Sequence, residues 1–129
     1  MATENYARFA ASVADTLAPI GTVTHRRFFG GQGLVCGAVQ FAMIIQGVLY
    51  LRVDAELAAQ MQARGAQPFV YGTRTRNVGV FSYYSVPEQC LDEEELFVGW
   101  ARRSLGIARQ HWKPRAAKPR AARSRKPRT

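Results

Sequence analysis

The spacing of apolar residues near the N-terminus predicts an amphipathic helix over residues 4–18. Five apolar side chains recur at intervals of three and four and share one helical face: Tyr6, Phe9, Ala10, Val13 and Leu17. Pro19 and Gly21 follow directly, and both residue types interrupt helices. The helix is therefore expected to end near residue 18.

Shorter apolar runs further along predict β-strands. The predicted strands are 23–29, 39–45, 48–53, 69–71 and 78–84, with a short additional one at 34–36. The strand at 23–29 is expected to close in a glycine-rich turn over 30–33. Gln46-Gly47 lies between two runs at a position where glycine permits the positive φ of a tight hairpin turn.

Two further helices are predicted from capping residues and apolar spacing. Asp54 suits an N-cap position, Leu57 and Met61 then lie on one face, and Gly65 marks the end of that helix. A last helix is expected over about 92–111. Its predicted inward residues are Phe97, Trp100, Ala101, Ser104, Leu105 and Ala108.

The resulting order is helix, three or four strands, helix, two strands and helix. This order predicts the α+β class, with an antiparallel sheet in one layer and helices covering one of its faces.

The composition is that of one small domain with a packed core. The chain has 129 residues, of which 47% are hydrophobic and 21% are charged. No apolar run approaches the ~20 residues of a membrane-spanning helix, and the N-terminus lacks a secretory signal pattern. Cys36 and Cys90 are widely separated and are expected to be reduced thiols. The expected location is the cytoplasm, with no membrane partner.

The positive charge is concentrated at the C-terminus. The formal net charge is +9, yet the first 112 residues hold ten basic and nine acidic residues. Beyond Trp112 there are eight cations and no acid: Lys113, Arg115, Lys118, Arg120, Arg123, Arg125, Lys126 and Arg128. This segment contains no aliphatic residue larger than alanine, so it cannot form a core. We expect a folded domain over 1–111 and a disordered basic tail over 112–129.

The eight cations are the candidate nucleic-acid-binding residues. A flexible polycation binds phosphates with release of counterions and without sequence preference. It resembles the tails of histone-like bacterial proteins. The sequence leaves open a tail that only aids solubility, and it leaves open RNA in place of DNA. Base stacking by the tail is not expected, because its segment contains no aromatic residue beyond Trp112.

Arg26 and Arg27, followed by Gly30, Gly31 and Gly33, form a second candidate surface. Glycine N–H groups beside two arginines can hold an anion or a partner. The favoured alternative is structural: a turn that needs positive φ, and two arginines on opposite faces of a strand. One of the two arginines would then point toward the core layer and pair with a carboxylate.

The sequence provides little for metal or covalent chemistry. His25 and His111 are far apart and have no second ligand at metal-binding spacing, so no metal or cofactor is expected. A reactive pair of Cys36 with His25 is a minor alternative to two buried structural side chains. The tyrosines at 50, 83 and 84 are interpreted as sheet residues, with a dimer or partner surface as the alternative. No enzyme activity is predicted.

Five short segments resemble the N-terminal domain of the TfoX/Sxy family over roughly residues 5–108. They are Arg26-Arg27-Phe28-Phe29-Gly30-Gly31 with Gly33-Leu34, Leu49-Tyr50-Leu51-Arg52-Val53-Asp54, Pro68-Phe69, Ser82-Tyr83-Tyr84 with Val86-Pro87, and Trp100-Ala101-Arg102. This family often has Met where this chain has Phe28. No catalytic residues are carried over from it.

The resemblance implies a two-layer fold of α-β(3)-α-β(2)-α order, like that of type III secretion chaperones. It also implies a link to competence, since the family's regulators act with the cyclic-AMP receptor protein. Those regulators carry a second, helical domain, whereas here a basic tail follows. The expected function is a non-enzymatic regulatory or accessory protein that binds DNA non-specifically and associates with the nucleoid. A transcription regulator and a second copy are its candidate protein partners, and a chaperone-like adaptor is the alternative.

Overall fold

The computed structural model of the chain describes residues 2–28, 30–72 and 74–111. The helices of this part are α1 (Ala2–Thr16), α2 (Ala55–Gln62), α3 (Glu88–Leu91) and α4 (Glu94–His111), with a 3-10 turn at Ala18–Ile20. The strands described are β1 (Val23–Phe28), β2 (Gly31–Cys36), β3 (Val39–Ile45), β4 (Val48–Arg52), β5 (Pro68–Gly72) and β6 (Asn77–Ser85).

The strands form one open antiparallel sheet in the order β1-β2-β3-β4-β6-β5. Helix α1 packs on β1 and β2, while α4 packs on β3 and β4. The α+β class and the two-layer architecture are thereby confirmed. Within the described residues, four strands precede α2, and the short helix α3 comes in addition to the predicted elements. None of the described helices has the length and apolar character needed to cross a membrane.

The core lies between the helices and one face of the sheet. Leu34, Phe41, Ile44 and Leu51 of the sheet are fully buried there together with Phe97 of α4. All six residues predicted to face inward from the last helix are buried. Helix α4 begins at residue 94, two positions later than predicted, because α3 occupies the preceding turn.

The predicted hairpin between β3 and β4 is confirmed in detail. Ile45 pairs with Val48, and Gln46 and Gly47 have φ angles of 52° and 81°. Positive φ at both central residues is the type I′ geometry that matches the twist of the strands. The β2–β3 connection has the same signs of φ, 60° at Gly37 and 72° at Ala38.

A β-bulge interrupts the pairing of β2 with β3. Leu34 pairs with Ala42 and Val35 with Gln40, so the intervening Phe41 has no opposite residue on β2. The bulge places Phe41 and Ala42 both in the core, although they are sequence neighbours. Side-chain alternation resumes beyond it, which gives β3 a core-facing Ile44 between Met43 and Ile45.

Helix α2 has the predicted boundaries. The Asp54 carboxylate accepts a hydrogen bond from the N–H of Leu57 at 2.9 Å, which is the expected N-cap. The helix ends at Gln62, and Gly65 lies shortly beyond with a φ of 103°. Arg64 then forms an ion pair with Glu93 at 2.6 Å, which connects the end of α2 to the start of α4.

Candidate functional site

The sheet face opposite the helices, here called the open face, carries a groove with apolar walls. The groove has a volume of about 610 Å³. Its lining comes from β1, β3, β5 and β6: Phe28, Met43, Ile45, Phe69, Tyr71, Val80 and Tyr83. In β1, β3 and β5 these residues project away from the core because alternation sends every second side chain to this face. In β6 the pairing with β5 shifts register between Tyr84 and Val80, so Val80 and Tyr83 both line the groove although they are three positions apart. Met43 is nearly fully buried at the floor, whereas Tyr71 is 46% exposed at the rim.

Three aromatic rings cluster at one wall of this groove. The Tyr50 and Phe69 ring centroids are 4.9 Å apart at an interplanar angle of 75°, an edge-to-face contact. Phe69 and Tyr71 lie 5.9 Å apart at 28°, closer to a stacked arrangement. Burial raises the pKa of the Tyr50 phenol above its usual value of 10.0. Tyr50 therefore stays a neutral phenol at physiological pH.

Arg52 lies beside this groove on the same face. Its guanidinium carbon is 5.7 Å from the ring centroid of Tyr83, which lines the groove, so the two form a cation–π contact. The Nε atom of Arg52 is buried and has no hydrogen-bond partner among the described residues. An unpaired buried donor is costly, so this N–H would gain a hydrogen bond by donating to a ligand oxygen that reached it.

The predicted glycine-rich turn over residues 30–33 is wrong in its extent. Gly31 pairs with Phe28 and begins β2, so Gly31 and Gly33 both lie inside the sheet and are buried. A Cβ at residue 31 would overlap the carbonyl oxygen of Ile44, and one at residue 33 would meet the Gln40 side chain. These glycines permit close approach of β3. The anion or partner surface at Arg26, Arg27 and these glycines stays a prediction. Gly30 alone keeps the turn role, with a φ of 75°.

Arg26 and Arg27 are both exposed. Arg26 donates to Oε1 of Gln40 at 3.5 Å on the open face, two residues before Phe28. Arg27 points to the opposite face of the sheet by alternation, yet it does not reach the core. Among the described residues neither arginine pairs with a carboxylate. The expectation of one arginine held in the core layer is therefore wrong: β1 is an edge strand, and both arginine side chains on it remain exposed.

The charges of the domain divide between the two layers. Residues 23–53 and 68–85, which contain the sheet, hold five arginines and no Asp or Glu, a net charge of +5. The rest of the first 112 residues holds five arginines and all nine acids, a net charge of −4. The acids belong to the helices and to the residues that cap or join them. A near-neutral domain is thus electrostatically polarised, with a positive sheet and a negative helical layer.

The other titratable candidates are structural within the described residues. Nδ1 of His25 donates to Oε1 of Gln32 at 2.8 Å, at the edge of the core. Cys36 and Cys90 are free thiols and buried, and desolvation raises the pKa of Cys90 against the opposing effect of Arg64. No three His, Cys, Asp or Glu side chains of the described residues converge as metal ligands would. The predicted site residues from Lys113 to Arg128 lie outside the described residues, and their role stays a prediction.

Sequence reasoning missed the groove because alternation alone does not tell which sheet face the helices cover. The sequence nonetheless contains a sign of the groove: Tyr50 and Arg52 share one face of β4, and Leu49 and Leu51 share the other. The same alternation of an arginine and an aromatic residue occurs at Arg26 and Phe28 of β1.

Comparison with known proteins agrees with this architecture. A search of curated proteins found no match to the sequence. The family model for the TfoX N-terminal domain matches residues 15–108, which is well over half of the chain and includes every strand of the described sheet. The chain therefore belongs to the TfoX N-terminal domain family.

Proposed function

We propose that this protein is a non-enzymatic regulatory or accessory protein that associates with DNA through its C-terminal tail. The observation that carries the proposal is the run of eight cations without an acid over residues 113–129. Each Lys or Arg that contacts a phosphate releases condensed counterions, so such a tail binds DNA strongly at low salt and without sequence preference. Family membership supports a regulatory role, since the family's regulators act in competence and transcription.

In this proposal the folded domain and the tail have different tasks. The domain carries a net charge of only +1 over its first 112 residues, so the tail provides most of the attraction to DNA. The domain would then bring its own binding surface close to the nucleoid of a bacterial cytoplasm. A transcription regulator is the protein partner that this arrangement suits best.

The proposal is tested by replacing equal numbers of cations in the tail and in the helical layer. Lys113, Arg115 and Lys118 are changed to Gln in one variant. The matched control changes three exposed helical arginines to Gln: Arg8, Arg102 and Arg109. Anisotropy of labelled duplex DNA is measured against salt concentration for both full-length variants and for the wild type.

The tail variant is expected to lose about 2.7 units of the slope of log K against log salt, or roughly 0.9 for each phosphate contact removed. The control variant should keep the wild-type slope. Equal slopes in the two variants would contradict the proposal. The chaperone-like adaptor alternative predicts weak DNA binding by every variant, together with a protein partner that all of them retain equally.

A further inference from the structure

The open face of the sheet combines cations, aromatic rings and an absence of acids. Arg26 and Phe28 alternate on β1, and Tyr50 and Arg52 alternate on β4, so each of these strands presents one cation and one ring to the same face. Arg74 follows in the β5–β6 connection, close in sequence to Tyr71. Cations that hold phosphates, interleaved with rings that stack on bases, are the components of a single-strand nucleic-acid surface.

We propose that this face is a binding site for single-stranded DNA. Arg26 and Arg52 hold phosphates, and bases enter the groove against Phe69, Tyr71 and Tyr83. The inference extends the proposed function from the tail to the folded domain, and it does not require the tail to bind DNA. A duplex gains little from the groove because its bases are already stacked inside the helix.

The charge of the sheet selects a polyanion as the occupant. With five arginines and no Asp or Glu in the residues that contain the sheet, no acid of that layer repels phosphates. The nearest acids by sequence, Asp54 and Glu56, belong to the cap and first turn of α2. A second copy of this chain is a poor occupant, because two faces of the same positive sign would repel each other.

Arg52 is the cation most closely adapted to this task. Its planar guanidinium lies 5.7 Å from the Tyr83 ring centroid, and its buried Nε lacks a partner among the described residues. A phosphate oxygen is a suitable acceptor because guanidinium binds phosphate through two parallel N–H groups. The ten basic residues among the first 112 are all arginine, so each of these domain cations has this planar geometry.

The lining favours DNA over RNA. Met43, Ile45 and Val80 provide an aliphatic floor, which suits the C5 methyl group of thymine. Among the described residues that line the groove, only the Tyr71 and Tyr83 hydroxyls are polar. Few groups are therefore available to recognise the 2′-hydroxyl by which proteins distinguish RNA. An oligothymidylate is the expected preferred ligand.

The test uses the full chain with all eight tail cations changed to Gln, here called the tail-neutral variant. Its affinity is measured by anisotropy at low salt for a labelled oligothymidylate of about 12 nucleotides, a length within the range that one single-strand-binding domain covers. Oligouridylate and a duplex of the same length are measured in parallel. The tail-neutral variant is expected to bind oligothymidylate more tightly than either of the others.

Two pairs of neighbouring substitutions separate the open face from the opposite one. Tyr71→Ala and Arg26→Gln alter exposed residues of the open face, whereas Val70→Ala and Arg27→Gln alter the adjacent residues on the other face. Tyr71→Ala is expected to weaken oligothymidylate binding roughly 5- to 100-fold, as loss of one base stack does. Arg26→Gln should weaken it more than Arg27→Gln, although both remove one charge.

The outcomes also separate this inference from the proposed function. If the tail-neutral variant binds no oligonucleotide while the wild type does, the open face is not a DNA site and the tail proposal stands. If the two members of each pair behave alike, the open face is equally rejected. Binding of an amphipathic Leu/Glu peptide in place of oligothymidylate would identify a protein occupant and overturn the inference. One result would overturn only the tail proposal. In it the tail-neutral variant binds oligothymidylate as tightly as the wild type does, and the affinity of the wild type for duplex DNA does not change with salt.

Discussion

At the scale of single residues, the hydroxyl of Ser104 secures the β-bulge of the sheet. Its Oγ lies on the buried face of α4 and donates to the carbonyl oxygen of Phe41 at 2.9 Å. Ser104→Ala leaves that buried carbonyl without this donor, and we expect a loss of about 1–3 kcal/mol in the free energy of unfolding. Urea denaturation measures it. The control is Ser12→Ala on the exposed side of α1, which should change stability by less than about 0.5 kcal/mol.

Ala38 is a second position where a single substitution should change the stability of the protein. Its φ of 72° is in the left-handed region, where the Cβ of an L-residue is strained. Ala38→Gly is expected to stabilise the protein by roughly 0.5–1 kcal/mol, because relief of the Cβ strain exceeds the added entropy of the unfolded chain.

The identical substitution in α2 supplies the control for Ala38. Ala59 is exposed within the helix, so Ala59→Gly should destabilise by about 1 kcal/mol. Opposite signs of the two effects in thermal melts would establish that backbone conformation, and not residue type, is responsible. Destabilisation by both substitutions would refute the strain assigned to Ala38.

At the scale of elements, the approach of β2 to β3 depends on two glycines with different tolerances. A Cβ at residue 31 meets the backbone carbonyl of Ile44, which cannot move without the strand. A Cβ at residue 33 meets only the end of the Gln40 side chain, which can rotate away. Gly31→Ala should therefore cost about 1–3 kcal/mol, and Gly33→Ala less than about 1 kcal/mol. Chemical denaturation checks both, and equal costs would contradict this account.

The same elements show which features the sequence could predict. Helix α2 with its Asp54 cap, the turn at Gln46-Gly47 and the buried face of α4 follow from local preferences, and the structure confirms them. Turn chemistry is a local signal, and it predicts a turn at Gly31 and Gly33. Their actual role is set by β3, several residues away along the chain, and by a bulge at Phe41 that no local pattern announces.

The open face illustrates the same limit for the candidate site. Alternation along β4 separated Tyr50 and Arg52 from the core residues, but it could not show that helices leave their face uncovered. The groove also combines residues of β1, β3, β5 and β6, whose neighbourhood depends on the strand order. Only the sheet topology brings Phe28, Phe69 and Tyr83 into one site.

At the scale of the whole molecule, the folded domain and the tail should be energetically independent. Among the described residues the core extends from Ala10 to Ala108. The tail sequence holds no aliphatic residue larger than alanine, so little apolar burial is expected from it. The negative helical layer offers one route to coupling, since Glu93, Glu94 and Glu95 are exposed at the start of α4. Exposed ion pairs contribute at most about 1 kcal/mol and are screened by salt. The tail-neutral variant should therefore melt within about 4 °C of the wild type.

Thermal melts of both chains at low and high salt distinguish independence from tail docking. Independence predicts that the difference in Tm stays small and does not change with salt. Docking of the tail on the acids of α4 predicts a wild type that is more stable at low salt, with the advantage lost as salt screens the contact. Docking would mean that DNA competes with the helical layer for the tail. Binding of the tail to DNA would then be coupled to its release from the acidic residues of α4.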